Sequence, residues 1–215
     1  MKTPINKDSL RTHWTYSWWK YALIVALVWA GFSLFYTVTA PQPAPEKVVN
    51  MFVFGVAEEP QLDAYMEAIR QNEMADMEEM EAIIMPVDDT YTAMQLTTYI
   101  AAGEGDIYVL PKDYFQSYAA QGAFIPLETQ PAVMDAMAAH GLTTDRGWHT
   151  EEESGERHMY GVPVNQLPVF KAQLYNMEDM YVCISVNSGN EDNCVKFVTL
   201  LIRDSVAQAE DAPAQ

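Results

Sequence analysis

Apolar and polar positions change rhythm several times along this chain, and each change marks an element. Tyr21 to Ala40 is a run of twenty residues without a charge. At about 1.5 Å per residue such a helix spans about 30 Å, the thickness of a bilayer's hydrocarbon core. Val48 to Val56 is shorter and apolar enough to be a strand buried on both faces. From Pro60 the period lengthens, with Leu62, Tyr65, Met66 and Ile69 on one side of a helix and Glu67 and Arg70 on the other. Ala82 to Val87 predicts a second strand. Leu96, Tyr99 and Ile100 recur at helical spacing, Gly103 and Gly105 end that helix, and Ile107 to Leu110 predict a third strand. Lys112 and Asp113 open a helix that turns Phe115, Tyr118 and Ala119 inward and stops at Gly122. Met134, Met137 and Ala138 mark another, ended by Gly141, and the polar stretch Leu142 to Glu156 reads as a loop. Tyr181 to Val186 restores a strand, and Asn190 with Glu191 and Asp192 caps a last helix burying Val195, Val198, Leu201 and Ile202. Helix and strand alternate, as a mostly parallel sheet requires.

The flanks of the uncharged run orient it. Trp14, Tyr16, Trp18, Trp19 and Tyr21 cluster at its start, where amphipathic rings sit among headgroups. Lys2, Lys7, Arg11 and Lys20 precede it, whereas Lys47 alone follows within twenty residues, which places the amino terminus in the cytoplasm and the remainder outside the cell membrane. A cleaved signal peptide is the competing view, with Val38 and Ala40 as a small-residue site. The run exceeds the about 7 to 15 residues of a signal core, and Pro41 follows the site directly, so a retained single-pass helix is expected. Pro41, Pro43 and Pro45 favour an extended spacer. The expected division is a cytoplasmic segment 1–20, a transmembrane helix 21–40, a Pro-rich linker 41–47, an extracellular α/β domain 48–205 and a disordered tail 206–215 with nothing to bury.

Charge separates the two parts further. Residues 46–215 hold 8 Lys and Arg against 29 Asp and Glu, a net −21, while the first 45 residues carry +3. An acidic surface of that strength disfavours nucleic acid and anionic lipid and leaves soluble or protein partners, and it also keeps an exported domain soluble. Two cysteines, Cys183 on the last strand and Cys194 on the last helix, are open to a disulfide outside the cytoplasm or to separate burial.

Candidate chemistry is sparse. Met74, Met77 and Met80 have thioethers at three-residue spacing, which reads as core filling before copper binding. His149 and His158 flank Glu151, Glu152, Glu153 and Glu156, a mixed imidazole and carboxylate set without recognised ligand spacing, read as a solvated acidic loop. Serine nucleophile elbows, phosphate-binding glycine loops and paired-Cys motifs are absent from the sequence, so no enzyme, cofactor or metal is expected. A small ligand on such a sheet would lie beyond the carboxyl ends of the parallel strands. The candidates there are Glu58 and Glu59 after the first strand, Asp88 and Asp89 after the second, and Lys112 and Asp113 after the third, with offset of a helix dipole as the plainer role for Glu58 and Glu59 and a place in a helix's first turn for Lys112 and Asp113.

AAGEGDIYVL at 101–110 followed by AAQGAFIPLE at 119–128 resembles the extracellular solute-binding proteins of bacterial ABC transporters, whose first lobe runs through similar motifs. GVPV at 161–164 and YVCISVNSGNEDNCVKFVTLLI at 181–202 are similar to the segments where that family's chain crosses toward its second lobe and returns. The resemblance implies a periplasmic-binding-protein-like lobe, three layers with helices on both faces of the sheet, and makes Tyr160 a candidate to stack on a sugar. The departure is large, because only Asn165 to Met180 stand where the family has a whole second lobe. The expectation is half of a clamshell: a membrane-anchored accessory or interaction module for a transporter or sensor, or a weak sugar or peptide receptor completed by a partner chain.

Overall fold

The computed structural model describes residues 7–39, 43–55, 59–85, 91–150, 155–170 and 179–210. The chain forms two units, residues 1–42 and 43–215. The first holds one helix, α1 (Lys7–Thr39), of which Ser17–Thr39 is long and apolar enough to cross a membrane. The helix therefore starts well before Tyr21 and takes in Trp18 and Trp19. Two hydroxyls near its end are met inside the helix: Thr37 Oγ1 donates to the Ser33 carbonyl at 2.9 Å and Thr39 Oγ1 to that of Phe35 at 2.6 Å. Bonds of this kind hide polar groups that hydrocarbon would leave unmet.

The second unit is an α/β sandwich: β1 (Val48–Phe54), α2 (Glu59–Asn72), β2 (Glu79–Met85), α3 (Thr92–Ala102), β3 (Ile107–Pro111), α4 (Lys112–Ala119), α5 (Pro131–Ala139), β4 (Trp148–Thr150), β5 (Arg157–Met159), β6 (Val162–Pro163), β7 (Met180–Ile184) and α6 (Glu191–Glu210). The main sheet has the order β2-β1-β3-β7-β6. β1 lies parallel to β2 and β3, and β7 runs antiparallel to both β3 and β6. Four strands thus share one direction and β7 opposes them.

Alternation along the strands sends side chains to two cores. Val49, Met51 and Val53 meet Leu62, Met66 and Ile69 of α2, Met137 of α5, and Phe197, Val198 and Leu201 of α6. Phe52, Phe54, Tyr108 and Leu110 meet Leu96 and Ile100 of α3 and Phe115 and Tyr118 of α4. Helices therefore cover both faces, and β1, an interior strand between β2 and β3, is buried on each. Each fully buried side chain of this size contributes about 1.5–3 kcal/mol relative to an exposed one. Met74, Met77 and Met80 all belong to the first core, which accounts for their spacing.

Local chemistry sets the joints. α3 ends because Gly103 takes φ 68°, a left-handed conformation that lets its N–H reach the Ile100 and Tyr99 carbonyls. β2 and β6 form the sheet's margins. Glu79 and Glu81 stand exposed on β2, and β6 is only two residues long and contains Pro163.

Three expectations need correction. Leu142 to Glu156 is not simply a loop, because β4 lies within it and pairs antiparallel with β5 as a separate two-stranded ribbon. α6 runs on to Glu210, past the boundary drawn at 206, and residues 211–215 lie outside the described residues. Cys183 and Cys194 are free thiols and form no disulfide. β7 alternates, so Val182 and Ile184 face the core that holds Cys194 whereas Cys183 faces the aromatic one, and the sheet separates the two sulfurs. Between Val164 and β7 the described residues form two short 3-10 turns, Val164–Gln166 and Pro168–Phe170, whose Leu167, Val169 and Phe170 are buried in the first core.

Candidate functional site

Because β1 and β3 are parallel, the segments after them emerge at one edge of the sheet. Glu59 there begins α2, and Lys112 and Asp113 begin α4, both exposed. Glu58, Asp88 and Asp89 lie outside the described residues. The antiparallel β7 starts at the same edge and adds groups that no local spacing announces. The Lys112 N–H donates to the Asp179 carbonyl at 2.7 Å, and the Asp179 carboxylate lies 3.7 Å from the Arg146 guanidinium. Asp179 adopts φ 57°, a conformation unusual for a residue with a side chain. The edge thus joins Lys112, Asp113, Arg146 and Asp179 from three separate stretches of chain.

Tyr160 does not join them. It is 3% exposed in the aromatic core, its ring 5.9 Å from that of His158, and so it has no open face for a sugar. Burial follows from its neighbours: Tyr160 and Gly161 donate backbone N–H bonds to the Gly147 carbonyl. A Cβ on Gly147 would stand 1.8 Å from the Gly161 oxygen, so this crossing of two backbones admits glycine alone.

The opposite edge carries an open recess of about 510 Å³, lined by Glu46, Val186, Ser188, Gly189, Asn190, Glu191, Asp192 and Asn193. The side chains of Ser188, Asn190 and Asn193 are occupied in fixing the start of α6 against the segment that opens β1. The Asn190 amide donates to the Val48 carbonyl at 2.7 Å, Ser188 Oγ accepts the Asn190 N–H at 3.1 Å, and the Asn193 amide donates to Asn190 Oδ1 at 2.7 Å and the Glu46 carbonyl at 3.2 Å. Ser188, Asn190 and Asn193 therefore act structurally, at the start of α6.

Asp106 lies deeper at the same edge, 7% exposed. Its carboxylate accepts the Asn50 N–H at 2.8 Å, while its own N–H and carbonyl bond to Asn50 and Ser185. Burial pushes this carboxyl up to about 6, against the opposing pull of the Asn50 hydrogen bond. Asp106 thus fastens β1, β3 and the end of β7 at the cost of a reluctant charge. Burial also raises the Cys183 and Cys194 thiols, the latter to about 12, which makes both poor nucleophiles.

The β4–β5 ribbon holds the remaining cluster. His149 and His158 are directly paired across it, and His158 Nδ1 lies 2.6 Å from Glu128 Oε1. Glu128 Oε2 accepts the Met159 N–H at 2.9 Å, so one carboxylate orients both the ribbon and its imidazole. Among the described residues no three His, Cys, Asp or Glu side chains already converge on a point that would hold a metal ion.

No protein-family model matches the chain, and no curated protein matches it. Among solved structures it is similar to an extracellular solute-binding protein family 1 from Alicyclobacillus acidocaldarius subsp. acidocaldarius DSM 446, at 18% identity and a TM-score of 0.38 over 57% of this chain and 29% of that one. It is also similar to an ABC transporter solute binding protein from Agrobacterium vitis S4 with bound D-mannitol, at 14% identity and a TM-score of 0.34 over 54% of this chain and 26% of that one. The chain spans less than a third of the length of either. Likeness of this extent transfers no residue's role.

Proposed function

We propose that the chain is a single-pass, membrane-anchored, one-lobed relative of solute-binding proteins that acts as a non-enzymatic interaction module, docking on a membrane-protein partner such as an ABC transporter or sensor. The observation that carries this reading is the pairing of Ser17–Thr39, an apolar helix of 23 residues, with a compact α/β unit built on one five-stranded sheet. A lobe with one open wall buries little of a small solute, whereas it offers a broad surface to another protein. The charge of residues 46–215, a net −21, favours approach by a cationic protein surface. In this reading the amino terminus is cytoplasmic, the helix is retained, and the α/β unit is extracellular.

A second reading, a weak sugar or peptide receptor completed by another chain, is favoured by Lys112, Asp113, Arg146 and Asp179 at the carboxyl-end edge. Two experiments separate them. Crosslinking in intact membranes followed by mild-detergent purification is expected to recover a defined membrane-protein complex that a Lys112→Glu, Arg146→Glu variant leaves intact. Thermal denaturation against sugars and peptides is expected to show no shift; a strong shift with one solute would establish the receptor, since stabilisation follows ligand concentration over Kd. Absence of any crosslinked partner would remove the docking reading.

A further inference from the structure

Charge is spread unevenly over the α/β unit. α3 holds 11 residues and none of them is charged, in a chain where 20% of residues are. On the opposite face of the sheet α2 carries Asp63, Glu67 and Arg70, with Glu73 and Asp76 just beyond it. Leu96 and Ile100 turn α3 onto the aromatic core, so its outer side consists of Tyr91, Met94, Gln95, Thr98, Ala101 and Ala102, all exposed. Residues three and four apart share one side of a helix, which makes these six a continuous strip. Among the described residues of this unit, Met94 at 67% exposure and Tyr91 at 63% stand further into solvent than any other large apolar side chain.

The strip is also graded by size. Tyr91 and Met94 occupy its amino end, Ala101 and Ala102 its carboxyl end, and Thr98 lies midway. Turned end for end against itself about Thr98, it sets each Met94 over Ala102 of the other copy and each Gln95 over Ala101, so that large meets small. A two-fold contact presses one patch against the same patch, and this patch is its own complement. Electrostatics select the same arrangement. Two units of net −21 repel, and carboxylates placed in direct contact oppose association, whereas α3 offers contact without them. The first turn of α3 holds no acid of its own. Antiparallel pairing brings Glu104, exposed just past the carboxyl end, to the amino end of the other copy's α3, where an anion offsets the helix dipole.

We propose that α3 is a self-association surface, on which a second copy of this chain seats its own α3 antiparallel about a two-fold axis at Thr98. One helix of this length covers less than the about 800 Å² per partner of a stable interface, so the pairing is weak in free solution. It therefore rests on the membrane-anchored reading above, because copies tethered in one membrane meet at a raised local concentration.

The test uses the full-length chain in membranes under mild oxidation, in variants with one added cysteine. Cys183 and Cys194 are buried and stay silent. Thr98→Cys, on the axis, is expected to bridge to its own copy. Met94→Cys and Ala102→Cys are expected to bridge to each other when co-expressed, well above either alone. Ala138→Cys, exposed on α5 across the sheet, is expected to remain unbridged. Adding Met94→Glu to Thr98→Cys buries a carboxylate on both copies and is expected to lower the bridged fraction about tenfold. Bridging of Thr98→Cys that is no faster than that of Ala138→Cys, or that Met94→Glu leaves unchanged, overturns the proposal. Alkaline carbonate extraction of the same membranes reports anchoring separately: protein retained but unbridged overturns the pairing alone, whereas protein released overturns the anchoring and the pairing with it.

Discussion

Replacing Asp106 with asparagine keeps the side chain's volume and the acceptor for the Asn50 N–H, and removes the ionisable group from a position 7% exposed. The folded chain holds this carboxyl at about 6 against an ordinary 3.8. A raised folded pKa on an acid means that folding disfavours the charge. The group's contribution to stability is therefore greatest at low pH and declines as pH rises through about 6. The full difference of the two pKa values corresponds to about 3 kcal/mol, most of it expressed between pH 4 and pH 7. Other carboxylates titrate in the same range, but they are common to both proteins and cancel in the difference. Urea unfolding of residues 43–215 at pH 4, 5, 6 and 7 measures it. Relative to its difference from wild type at pH 4, Asp106→Asn is expected to be more stable at pH 7 by about 2 kcal/mol. A difference that stays flat across this range would refute the reasoning, because it would mean that Asp106 titrates as if it were in water.

Other expectations follow from the same structure. Phe197→Ala, at a fully buried position of α6, should lower the unfolding free energy by about 3–5 kcal/mol in denaturant titration. Gly147→Ala should destabilise the unit by at least about 1–3 kcal/mol, since both its φ of 82° and the Gly161 carbonyl exclude a side chain; an unchanged melting temperature would contradict the backbone crossing. Cys183 and Cys194 should resist thiol reagents in the native protein, react as two free thiols after denaturation, and leave the melting temperature unaffected by reductant. Val28→Arg, within the apolar helix, should oppose insertion by about 2.5–3.5 kcal/mol and increase the fraction released by alkaline carbonate.

How much of this was legible depends on what each element buries. β1, β3 and α2 through α4 face cores on a regular period, so Leu62, Met66, Leu96, Ile100 and Phe115 announce both the element and its inward side. β4 buries little: Trp148 and His149 are half-exposed and Thr150 is exposed, and the strand exists because it pairs with β5. Hydrophobic periodicity carries no signal for such a ribbon. The carboxyl-end edge was visible only in part. Lys112 and Asp113 follow directly from the strand-to-helix switch, but Arg146 and Asp179 arrive through the fold from distant stretches. Tyr160 failed as a surface aromatic because the Gly147–Gly161 crossing, which draws it inside, depends on contacts between residues far apart in the chain. The separation of Cys183 from Cys194 turned on the parity of β7, which eleven positions of spacing do not encode.

The sheet's two margins restrict how anything can bind to it. β2 presents the carboxylates of Glu79 and Glu81, and β6 ends in a proline that has no N–H to offer. Two copies of the sheet brought edge to edge would otherwise pair through their unpaired backbones. With both borders guarded, extension of the sheet by an incoming strand is disfavoured, which leaves recognition to side chains on the helices and loops.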